Sequence, residues 1–393
     1  MTPAARVQAA IELLDAIVDA ARGQGAPADR LVSDYFRTRR YAGSKDRRAV
    51  RELVYAAIRA CGPVPASGRA AMLRLAESDA NILPLFDGSG HGPSAVEPGE
   101  PVADGGIAPA WLEAALAASD IAREEAAALL DRAPLDLRVN ALRAGRDTLE
   151  LPAPAVRTDA PQGLRVEPGT PVEQWDAYRD GLVEVQDTGS QLACLAIGAQ
   201  PGEVVIDLCA GAGGKTLALA AAMDNRGTLI ACDTDRGRLS RLPPRAERAG
   251  AGMIETVLLD PGKELDALAE WHGRADAVLV DAPCSGTGTW RRNPEARWRL
   301  TPDSLTRFAA TQDGLLGIAA QLVKPGGRLV YVTCSLLDGE GADRVDAFLA
   351  AHSGWNARDP GLPLGSVRGQ GVRLTPYHDG TDGFFIACLD STC

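Results

Sequence analysis

The stretch Val204-Val-Ile-Asp-Leu-Cys-Ala-Gly-Ala-Gly-Gly-Lys-Thr216 predicts the fold of the second half of this 393-residue chain. Its apolar start, Val204–Leu208, is typical of a buried strand, and Thr216–Met223 continues as a helical pattern. The small residues between them let a ligand approach the backbone closely, and a helix N-terminus offers free N–H groups. We therefore expect a strand, a ligand-binding loop and a helix, in that order.

Alternating strand and helix patterns continue from this stretch towards the C-terminus. Short apolar runs predict further strands at Thr228–Cys232, Glu255–Leu259, Ala277–Val280, Arg328–Thr333 and Phe384–Cys388. Helical patterns occupy Leu305–Val323 and Asp343–Ala351. Such alternation is typical of an α/β domain with a mostly parallel sheet and helices on both faces. Ligands of such domains bind at the carboxyl ends of the strands.

Three regions precede this α/β domain, which we place at residues 186–393. Residues 1–86 carry apolar side chains at helical spacing and predict an all-α domain. Residues 87–106 are rich in glycine, proline, serine and acidic residues, which indicates a linker or a mobile loop. Residues 107–185 combine two helical patterns with short alternating segments such as Leu135–Asn140, so we expect a small α+β module there.

The composition fits a globular protein, since 46% of the residues are apolar and 24% are charged. No stretch predicts a membrane span, and the alanine-rich start with Arg6 and Glu12 does not resemble a secretory signal. The eight cysteines include no C-x-x-C pair, which argues against a zinc site and for reduced thiols. We therefore expect a cytoplasmic protein with no metal and no membrane partner.

The formal net charge of −11, taken alone, argues against a nucleic-acid partner, because phosphate binding requires a basic surface. One segment departs from this acidic balance: Phe36–Arg59 carries eight basic residues against two acidic ones. A solvated helix face is one explanation, because charge runs are common on surfaces. A surface that binds phosphates is the other.

The glycine-rich loop after the first strand fits neither of two common nucleotide-binding patterns. A phosphate-binding P-loop requires glycine where this chain has Cys209. The dinucleotide pattern G-x-G-x-x-G begins at Gly211 and Gly213 but meets Thr216 at its third glycine. The loop therefore indicates a different nucleoside ligand.

Acidic residues follow four successive strands, at Asp207, Asp233, Asp260 and Asp281. Any one of them alone is more simply a cap or turn residue, but the series indicates a site. A carboxylate after the second strand can accept both ribose hydroxyls of a nucleoside. Acids argue against a polyphosphate and suit the positive sulfonium and amino groups of S-adenosylmethionine.

Two cysteines lie just past strand ends that we expect to be neighbours. Cys284 stands in Asp281-Ala-Pro-Cys284, and Cys334 stands in Tyr331-Val-Thr-Cys-Ser335. One such thiol is readily explained by packing, because cysteine is often buried. Two thiols at one edge of a sheet indicate chemistry.

These motifs resemble those of the RsmB-type RNA cytosine-C5 methyltransferases. The similarity is carried by the quoted glycine-rich loop, by Asp281-Ala-Pro-Cys-Ser-Gly-Thr-Gly-Thr-Trp-Arg-Arg-Asn-Pro-Glu-Ala-Arg-Trp298 and by Thr333-Cys-Ser335. Val185-Gln-Asp-Thr-Gly-Ser-Gln191, Asp382-Gly-Phe-Phe385 and Pro134-Leu-Asp-Leu-Arg-Val-Asn140 also match. Asp46-Arg-Arg-Ala-Val-Arg-Glu-Leu-Val-Tyr55 looks like part of the NusB-like RNA-binding domain of this branch. The resemblance implies a Rossmann-like class I methyltransferase domain with a seven-stranded, mostly parallel sheet.

The resemblance also implies residue roles. Cys334 would be the nucleophile that adds to C6 of cytosine, Cys284 would assist release, and Asp281 would bind or protonate the base edge near N3. Lys215 would supply positive charge near a thiol or orient the base. The residues expected to hold S-adenosylmethionine are Cys209, Ala210, Gly211, Ala212, Gly213, Gly214, Lys215, Asp233, Arg238, Asp260 and Asp281.

The expected partner is RNA, most simply small-subunit ribosomal RNA, bound by a monomer. Trp290 and Trp298 would stack on bases and nearby arginines would hold the backbone, although core packing explains the tryptophans equally well. The arginines in question are Arg138, Arg291, Arg292, Arg297 and Arg299, with the basic helix around Arg47. Two other functions stay open: an RNA-binding ribosome-assembly factor that retains the fold, and a methyltransferase for a small molecule or a protein.

Overall fold

The computed structural model describes residues 1–23 and 25–392. They form two compact units, and the division does not follow the sequence order. The first unit consists of residues 1–131 together with residues 289–301. The second consists of residues 132–288 and residues 302–393. The first unit thus contains a short segment from the middle of the predicted α/β domain.

The first unit is helical, as the spacing of apolar residues predicts. Its helices are α1 (Pro3–Arg22), α2 (Ala28–Thr38), α3 (Ser44–Ala60), α4 (Gly68–Ser78), α5 (Ala110–Ala118) and α6 (Glu124–Ala128). The predicted apolar face of α1 is buried, with Val7, Leu14 and Ile17 fully inaccessible. It packs in one cluster with Val54 and Ile58 of α3. Helices α5 and α6 belong to this unit, whereas the sequence placed them in the α+β module.

Residues 87–106, predicted as a linker or mobile loop, are tied to the helices of the first unit. The backbone N–H of Ala103 donates to the Ala70 carbonyl (3.2 Å), and that of Gly62 donates to Asp104 (3.0 Å). Glu100 forms an ion pair with Arg69 of α4. A composition rich in glycine, proline and acids predicts irregular backbone correctly, but it does not reveal these hydrogen bonds.

The segment Thr289–Thr301 is a packed part of the helical unit. Arg297 is fully buried and donates to the carbonyls of Ile58 (2.7 Å) and Cys61 (2.6 Å), where α3 ends. Trp298 is 5% exposed and donates from its indole nitrogen to the Gly62 carbonyl (3.1 Å). Because helix ends leave carbonyls unpaired, the guanidinium caps α3 from outside the helix.

These contacts correct the predicted RNA-binding role of this segment. Trp290, Arg291, Arg297 and Trp298 are all buried, so they cannot stack on bases or reach phosphates. Arg299 is partly exposed, but its guanidinium donates to backbone carbonyls at residues 25 and 26 (2.8 Å each). A run of arginine and tryptophan fits either an RNA-binding surface or a buried segment whose polar groups hydrogen-bond to neighbouring helices. The structure shows the second arrangement for Arg297 and Trp298.

We predict that Arg297→Met destabilises the helical unit by about 2–4 kcal/mol, because two buried carbonyls lose their donor. Urea denaturation of the full chain and limited proteolysis of residues 1–131 measure the loss. Arg48→Met on α3 is the matched control, since its side chain is 75% exposed, and should change stability by less than about 0.5 kcal/mol. Equal denaturation midpoints for the two variants would contradict this account of Arg297.

The second unit begins with a small antiparallel sheet. Its strands are β1 (Leu135–Val139), β2 (Ala155–Arg157), β3 (Gly163–Val166) and β4 (Val183–Val185), in the order β2-β3-β1-β4. The one-turn helix α7 (Asp176–Arg179) precedes β4. Arg138, predicted to contact RNA, is only 5% exposed and donates to the Gln186 side chain (2.6 Å). That prediction is therefore wrong as well.

The large sheet of the second unit has nine strands, two more than the resemblance implies. They are β5 (Val204–Asp207), β6 (Thr228–Asp233), β7 (Ile254–Leu258), β8 (Ala275–Asp281), β9 (Val323–Thr333), β10 (Trp355–Arg358), β11 (Ser366–Arg368), β12 (Gly371–Leu374) and β13 (Phe384–Ser391). The order is β11-β12-β13-β9-β8-β5-β6-β7, with β10 also on β13. Strands β10, β11 and β12 have three or four residues each, too few for a reliable alternating pattern.

Strands β7, β6, β5, β8 and β9, in this order across the sheet, are parallel. Strand β13, next to β9, runs antiparallel to it. Neighbouring residues of β5 face opposite ways: Val205 joins one apolar cluster and Ile206 joins the other. Helices cover both faces. They are α8 (Thr188–Ile197), α9 (Gly214–Ala222), α10 (Arg236–Leu239), α11 (Leu242–Ala249), α12 (Glu264–Ala267), α13 (Pro302–Leu322), α14 (Ala342–Ala351) and α15 (Pro376–Asp379). The predicted α/β architecture is confirmed.

Across residues 1–23 and 25–392, no helix has both the length and the apolar character needed to cross a membrane. The expected cytoplasmic location and monomeric state stay predictions.

Candidate active site

The predicted site residues lie where four parallel strands end. Strands β6, β5, β8 and β9 are consecutive neighbours in the sheet. Their carboxyl ends carry Asp233, Asp207, Asp281 and, one residue past β9, Cys334. The pairing of Asp281 with Val332 brings the loop of Cys284 beside the loop of Cys334. The expected gathering of these groups at one edge of the sheet therefore follows from the strand order.

Asp233 holds the glycine-rich loop. Its Oδ2 accepts from the Gly211 N–H (2.7 Å), and its Oδ1 accepts from the Asp235 N–H (2.7 Å). The loop is also bound through the Ala210 N–H, which donates to the Cys232 carbonyl (2.7 Å). Each carboxylate oxygen has a second lone pair, so Asp233 can still accept a ligand hydroxyl. In this structure, the hydrogen bonds of Asp233 fix the backbone of the glycine-rich loop.

Asp207 is fully buried and only half satisfied. Its Oδ2 accepts from the Thr216 hydroxyl (2.7 Å), while its Oδ1 has no hydrogen-bond partner within the described part of the chain. Burial raises the pKa of Asp207 to about 7, the Thr216 hydrogen bond opposes this rise, and the Asp281 carboxylate adds to it. A buried acceptor without a partner beside a glycine-rich loop suits a ligand that carries a hydrogen-bond donor or a positive charge.

Three of the four strand-end acids converge on Cys209. Burial raises the pKa of this thiol well above its usual value, and the carboxylates of Asp207, Asp281 and Asp233 raise it further. Cys209 is therefore an unreactive thiol in an acidic pocket wall. The fourth acid, Asp260, is exposed just past β7, and the preceding Leu259 N–H donates to the Asp233 carbonyl (3.0 Å).

Arg238 lies over the same loop. A Cβ placed on Gly211 would come within 2.6 Å of a guanidinium nitrogen of Arg238. Gly213 has a φ of +86° and is the N-cap of α9, and a Cβ there would lie 2.1 Å from Leu242 Cδ1. Backbone in a left-handed conformation with this little space requires glycine, which explains the small residues of the motif.

Lys215 and Asp281 form an ion pair with an Nζ–Oδ2 distance of 2.7 Å. Burial lowers the pKa of Lys215, but the charges of Asp281, Cys194 and Cys334 raise it, and the net pKa is above the usual value. The ammonium also lies 5.6 Å from the centre of the Phe384 ring. Lys215 is therefore a positive charge within electrostatic range of Cys334, and its role toward a thiol or the base stays a prediction.

The two predicted thiols are neighbours, with 3.4 Å between Cys284 Sγ and Cys334 Sγ. The hydrogen bond with Cys334 raises the pKa of Cys284 well above its usual value, and burial raises it further. When one of two adjacent thiols ionises, the other donates its S–H to the thiolate. In the neutral pair either sulfur can be the donor, and the raised pKa of Cys284 favours its remaining a thiol.

The family model for 16S rRNA methyltransferase RsmB/F matches residues 194–390.

The chain belongs to this family.

Two curated relatives show the extent of the similarity. A probable ribosomal RNA small subunit methyltransferase B of Synechocystis is 35% identical over 65% of this chain and 59% of its own length. A ribosomal RNA small subunit methyltransferase B of Xanthomonas campestris is 34% identical over 73% of this chain and 67% of its own. The chain thus spans less than two thirds of the first relative. The crystal structure of PH0851 aligns with a TM-score of 0.77 and 25% identity, covering 98% of this chain and 99% of that one.

Membership of the RsmB/F family confirms two predictions from the sequence: the resemblance to this family and the Rossmann-like fold. The family match begins at residue 194, and the NusB-like character of the helical unit stays a prediction. Within the described residues, no group of three or more histidine, cysteine, aspartate or glutamate side chains is arranged to hold a metal ion.

Sequence reasoning did not show which of the quoted motifs contact one another. The quoted motif Val185–Gln191 and the motif Asp382–Phe385 meet through Asp187, whose Oδ1 accepts from the Asp382 N–H (3.0 Å). Glu340, beyond every motif considered, accepts hydrogen bonds from the serines that follow both thiols. The dipeptide Cys-Ser occurs after both strands, as Cys284-Ser285 and Cys334-Ser335. Because buried hydroxyls need hydrogen-bond partners, this repetition could have indicated one acceptor that binds both serines.

The raised pKa of Asp207 predicts a pH-dependent stability. A carboxyl group with a folded pKa near 7 and an unfolded pKa near 3.9 favours the folded state at low pH, and this contribution disappears as the pH rises through 7. Relative to Asp207→Asn, the unfolding free energy of the wild type should fall by on the order of 2 kcal/mol between pH 5 and pH 8. Urea denaturation followed by circular dichroism measures it.

The control for this prediction is Asp266→Asn, which removes one carboxylate from the exposed part of α12. Its stability should follow that of the wild type across the same pH range. Parallel curves for wild type and Asp207→Asn would show that Asp207 titrates as it does in the unfolded chain.

Proposed function

We propose that this chain transfers a methyl group from S-adenosylmethionine to C5 of a cytosine in small-subunit ribosomal RNA. The observation that carries the proposal is the pair of thiols 3.4 Å apart beside the Lys215–Asp281 ion pair. Methyl transfer to an oxygen, a nitrogen or a protein side chain has no use for two adjacent thiols. C5 of cytosine does, because it becomes nucleophilic only after a thiolate has added at C6.

The residues of the glycine-rich loop fit the methyl donor. S-adenosylmethionine supplies an electrophilic methyl group on a positively charged sulfur. The remaining lone pairs of Asp233 and the backbone of Gly211–Gly214 would hold it, with Arg238 and Asp260 beside them. A carboxylate-lined pocket of this kind attracts a cation and repels a polyphosphate.

The first step uses Cys334. Its thiolate forms a bond to C6, the electron pair of the C5–C6 double bond moves to C4–C5, and N3 takes up a proton from solvent, which it gives back once C5 has taken the methyl group. Asp281 would orient the N3 edge, and Lys215 would hold Asp281 and stabilise the thiolate before attack. The resulting enamine makes C5 the nucleophile that takes the methyl group.

The second step uses Cys284. Once Cys334 is bonded to carbon it is no longer a thiolate, so the main cause of the raised pKa of Cys284 is removed. Cys284 then releases its proton to solvent and accepts the proton from C5. The C5–H electrons re-form the double bond, the S–C6 bond breaks, and its electron pair returns to Cys334. One proton is released per methyl group transferred.

The RNA-binding surface proposed for the helical unit is the exposed part of the basic segment Phe36–Arg59. Its outward-facing basic residues are Arg37, Arg40, Lys45, Arg47, Arg48 and Arg51. Tyr41 lies among them and is 74% exposed, which suits stacking on an unpaired base. Phosphate contacts of this type would make RNA binding strongly dependent on salt.

The thiol roles predict opposite outcomes for two substitutions. Cys284→Ala should accumulate a covalent RNA adduct, because the C5 proton is not removed, and Cys334→Ala should form none. Incubation with S-adenosylmethionine and small-subunit ribosomal RNA, followed by a denaturing gel, distinguishes them. Cys388→Ala, a buried thiol of β13, is the control and should turn over like the wild type. An adduct in Cys334→Ala would reverse the roles.

Gly213→Ala should weaken S-adenosylmethionine binding by about tenfold or more, since a left-handed backbone costs an alanine on the order of 1–2 kcal/mol and the added Cβ meets Leu242. Isothermal titration calorimetry measures the effect. Gly252→Ala is the control, because an added Cβ there meets nothing within 4 Å. If the wild type itself bound no S-adenosylmethionine, the assembly-factor alternative would replace this proposal.

A further inference from the structure

One carboxylate contacts the loops of both thiols. Glu340 is 2% exposed and ends the short turn Asp338–Glu340 that follows the Cys334 loop. Its Oε2 accepts from the Ser335 hydroxyl (2.6 Å) and from the Ser285 hydroxyl. Its Oε1 accepts from the Ser285 backbone N–H (2.9 Å). Ser285 and Ser335 directly follow Cys284 and Cys334 in the chain.

The serines and their neighbours complete a closed network around this carboxylate. The two serine hydroxyls are 3.2 Å apart, and Ser335 Oγ is also 3.2 Å from Thr287 Oγ1. Gln312 of α13 donates to Glu340 Oε1 (3.3 Å) and to the Pro283 carbonyl (2.9 Å), so it holds the residue before Cys284 as well. Each contact made by the two carboxylate oxygens of Glu340 runs from a donor to an acceptor, so all four of these hydrogen bonds are satisfied together.

We propose that Glu340 is the positioning residue that sets the distance between the two thiols, by binding the residue after each of them. Cys284 and Cys334 are 50 positions apart in sequence, and each lies in a loop just past its strand end. Beyond the ladder of β8 and β9, the Gly288 N–H donates to the Cys334 carbonyl (3.0 Å). The side-chain network of Glu340 fixes both loops to one point.

The charge of Glu340 has a second effect. It contributes, after the Cys334 thiol and burial, to the raised pKa of Cys284. The charged and titratable groups around the pair are Cys334, Glu340, Tyr331 and, towards Cys334, Lys215. Glu340 therefore acts on both the position of Cys284 and its protonation.

A test that does not depend on methyl transfer uses dibromobimane, a reagent that becomes fluorescent when it bridges two thiols. In the full-length protein, Glu340→Ala should lower the rate of Cys284–Cys334 bridging at least tenfold. Cys284→Ala gives the background from the other cysteines. Asp136→Ala removes another buried carboxylate of the same unit, one bound to Arg165 and Thr188, and should destabilise the protein without changing the bridging rate.

Two conservative variants separate position from charge. Glu340→Gln keeps an acceptor for the Ser285 N–H and presents its amide to hydroxyls that can rotate, so bridging should recover to within about threefold of the wild type. The pH profile of bridging should move to lower pH, because the negative charge is gone. Glu340→Asp keeps the charge but withdraws the carboxylate by one methylene, and its bridging rate should fall. A Glu340→Asp rate equal to the wild type would overturn the proposal even if Glu340→Ala did not fold.

A second assay rests on the proposed function. In the Cys284→Ala background, adding Glu340→Ala should slow adduct formation about a hundredfold, because misplacement of a reacting group by about 1 Å costs a factor of this size. S-adenosylmethionine affinity should change less than twofold. If Cys284→Ala alone forms no adduct, the proposed function fails, and the bridging assay still decides the role of Glu340. Equal bridging rates in folded Glu340→Ala and wild type would show that the network only stabilises the fold.

Discussion

The hydrogen-bonded pair of Cys284 and Cys334 is the constraint on which the site depends. Two sulfurs 3.4 Å apart in a buried setting cannot both carry a negative charge, because the repulsion would be weakly screened. The pair therefore keeps at least one proton, and the chemistry proposed for it depends on which sulfur carries that proton at each step. The parallel pairing of β8 with β9 brings the thiols to one edge of the sheet.

The electrostatics around this pair are divided between two sides. On one side, Asp207, Asp233 and Asp281 form an acidic wall that is suited to a cationic methyl donor. On the other side, Lys215 pairs with Asp281 and places a positive charge within electrostatic range of Cys334. Without the lysine, a thiolate beside three carboxylates would be strongly disfavoured. In the proposed function, the lysine at the start of α9 lets an acidic cofactor site lie next to an anionic nucleophile.

Sequence reasoning succeeded where local pattern and chemistry agree. The strand, glycine-rich loop and helix at Val204–Ala222 follow from short-range rules, and the placement of acids and thiols follows from the common edge of a parallel sheet. It failed where the partner of a side chain is distant in sequence. Nothing near Arg297 shows that its acceptors are at residues 58 and 61, and nothing near Glu340 shows that it binds Ser285.

The path of the chain gives the helical unit a structural role beside any role in binding RNA. The chain leaves the second unit at Gly288, four residues after Cys284, and residues 289–301 fold as part of the first unit before Pro302 returns to the second. This segment buries Trp290, Trp298 and Arg297. Without the helices, the Trp298 ring and the Arg297 guanidinium would lose the groups that cover them. The helical unit is therefore required for the fold of the segment that continues from the Cys284 loop, and it cannot be removed as an independent RNA-binding module.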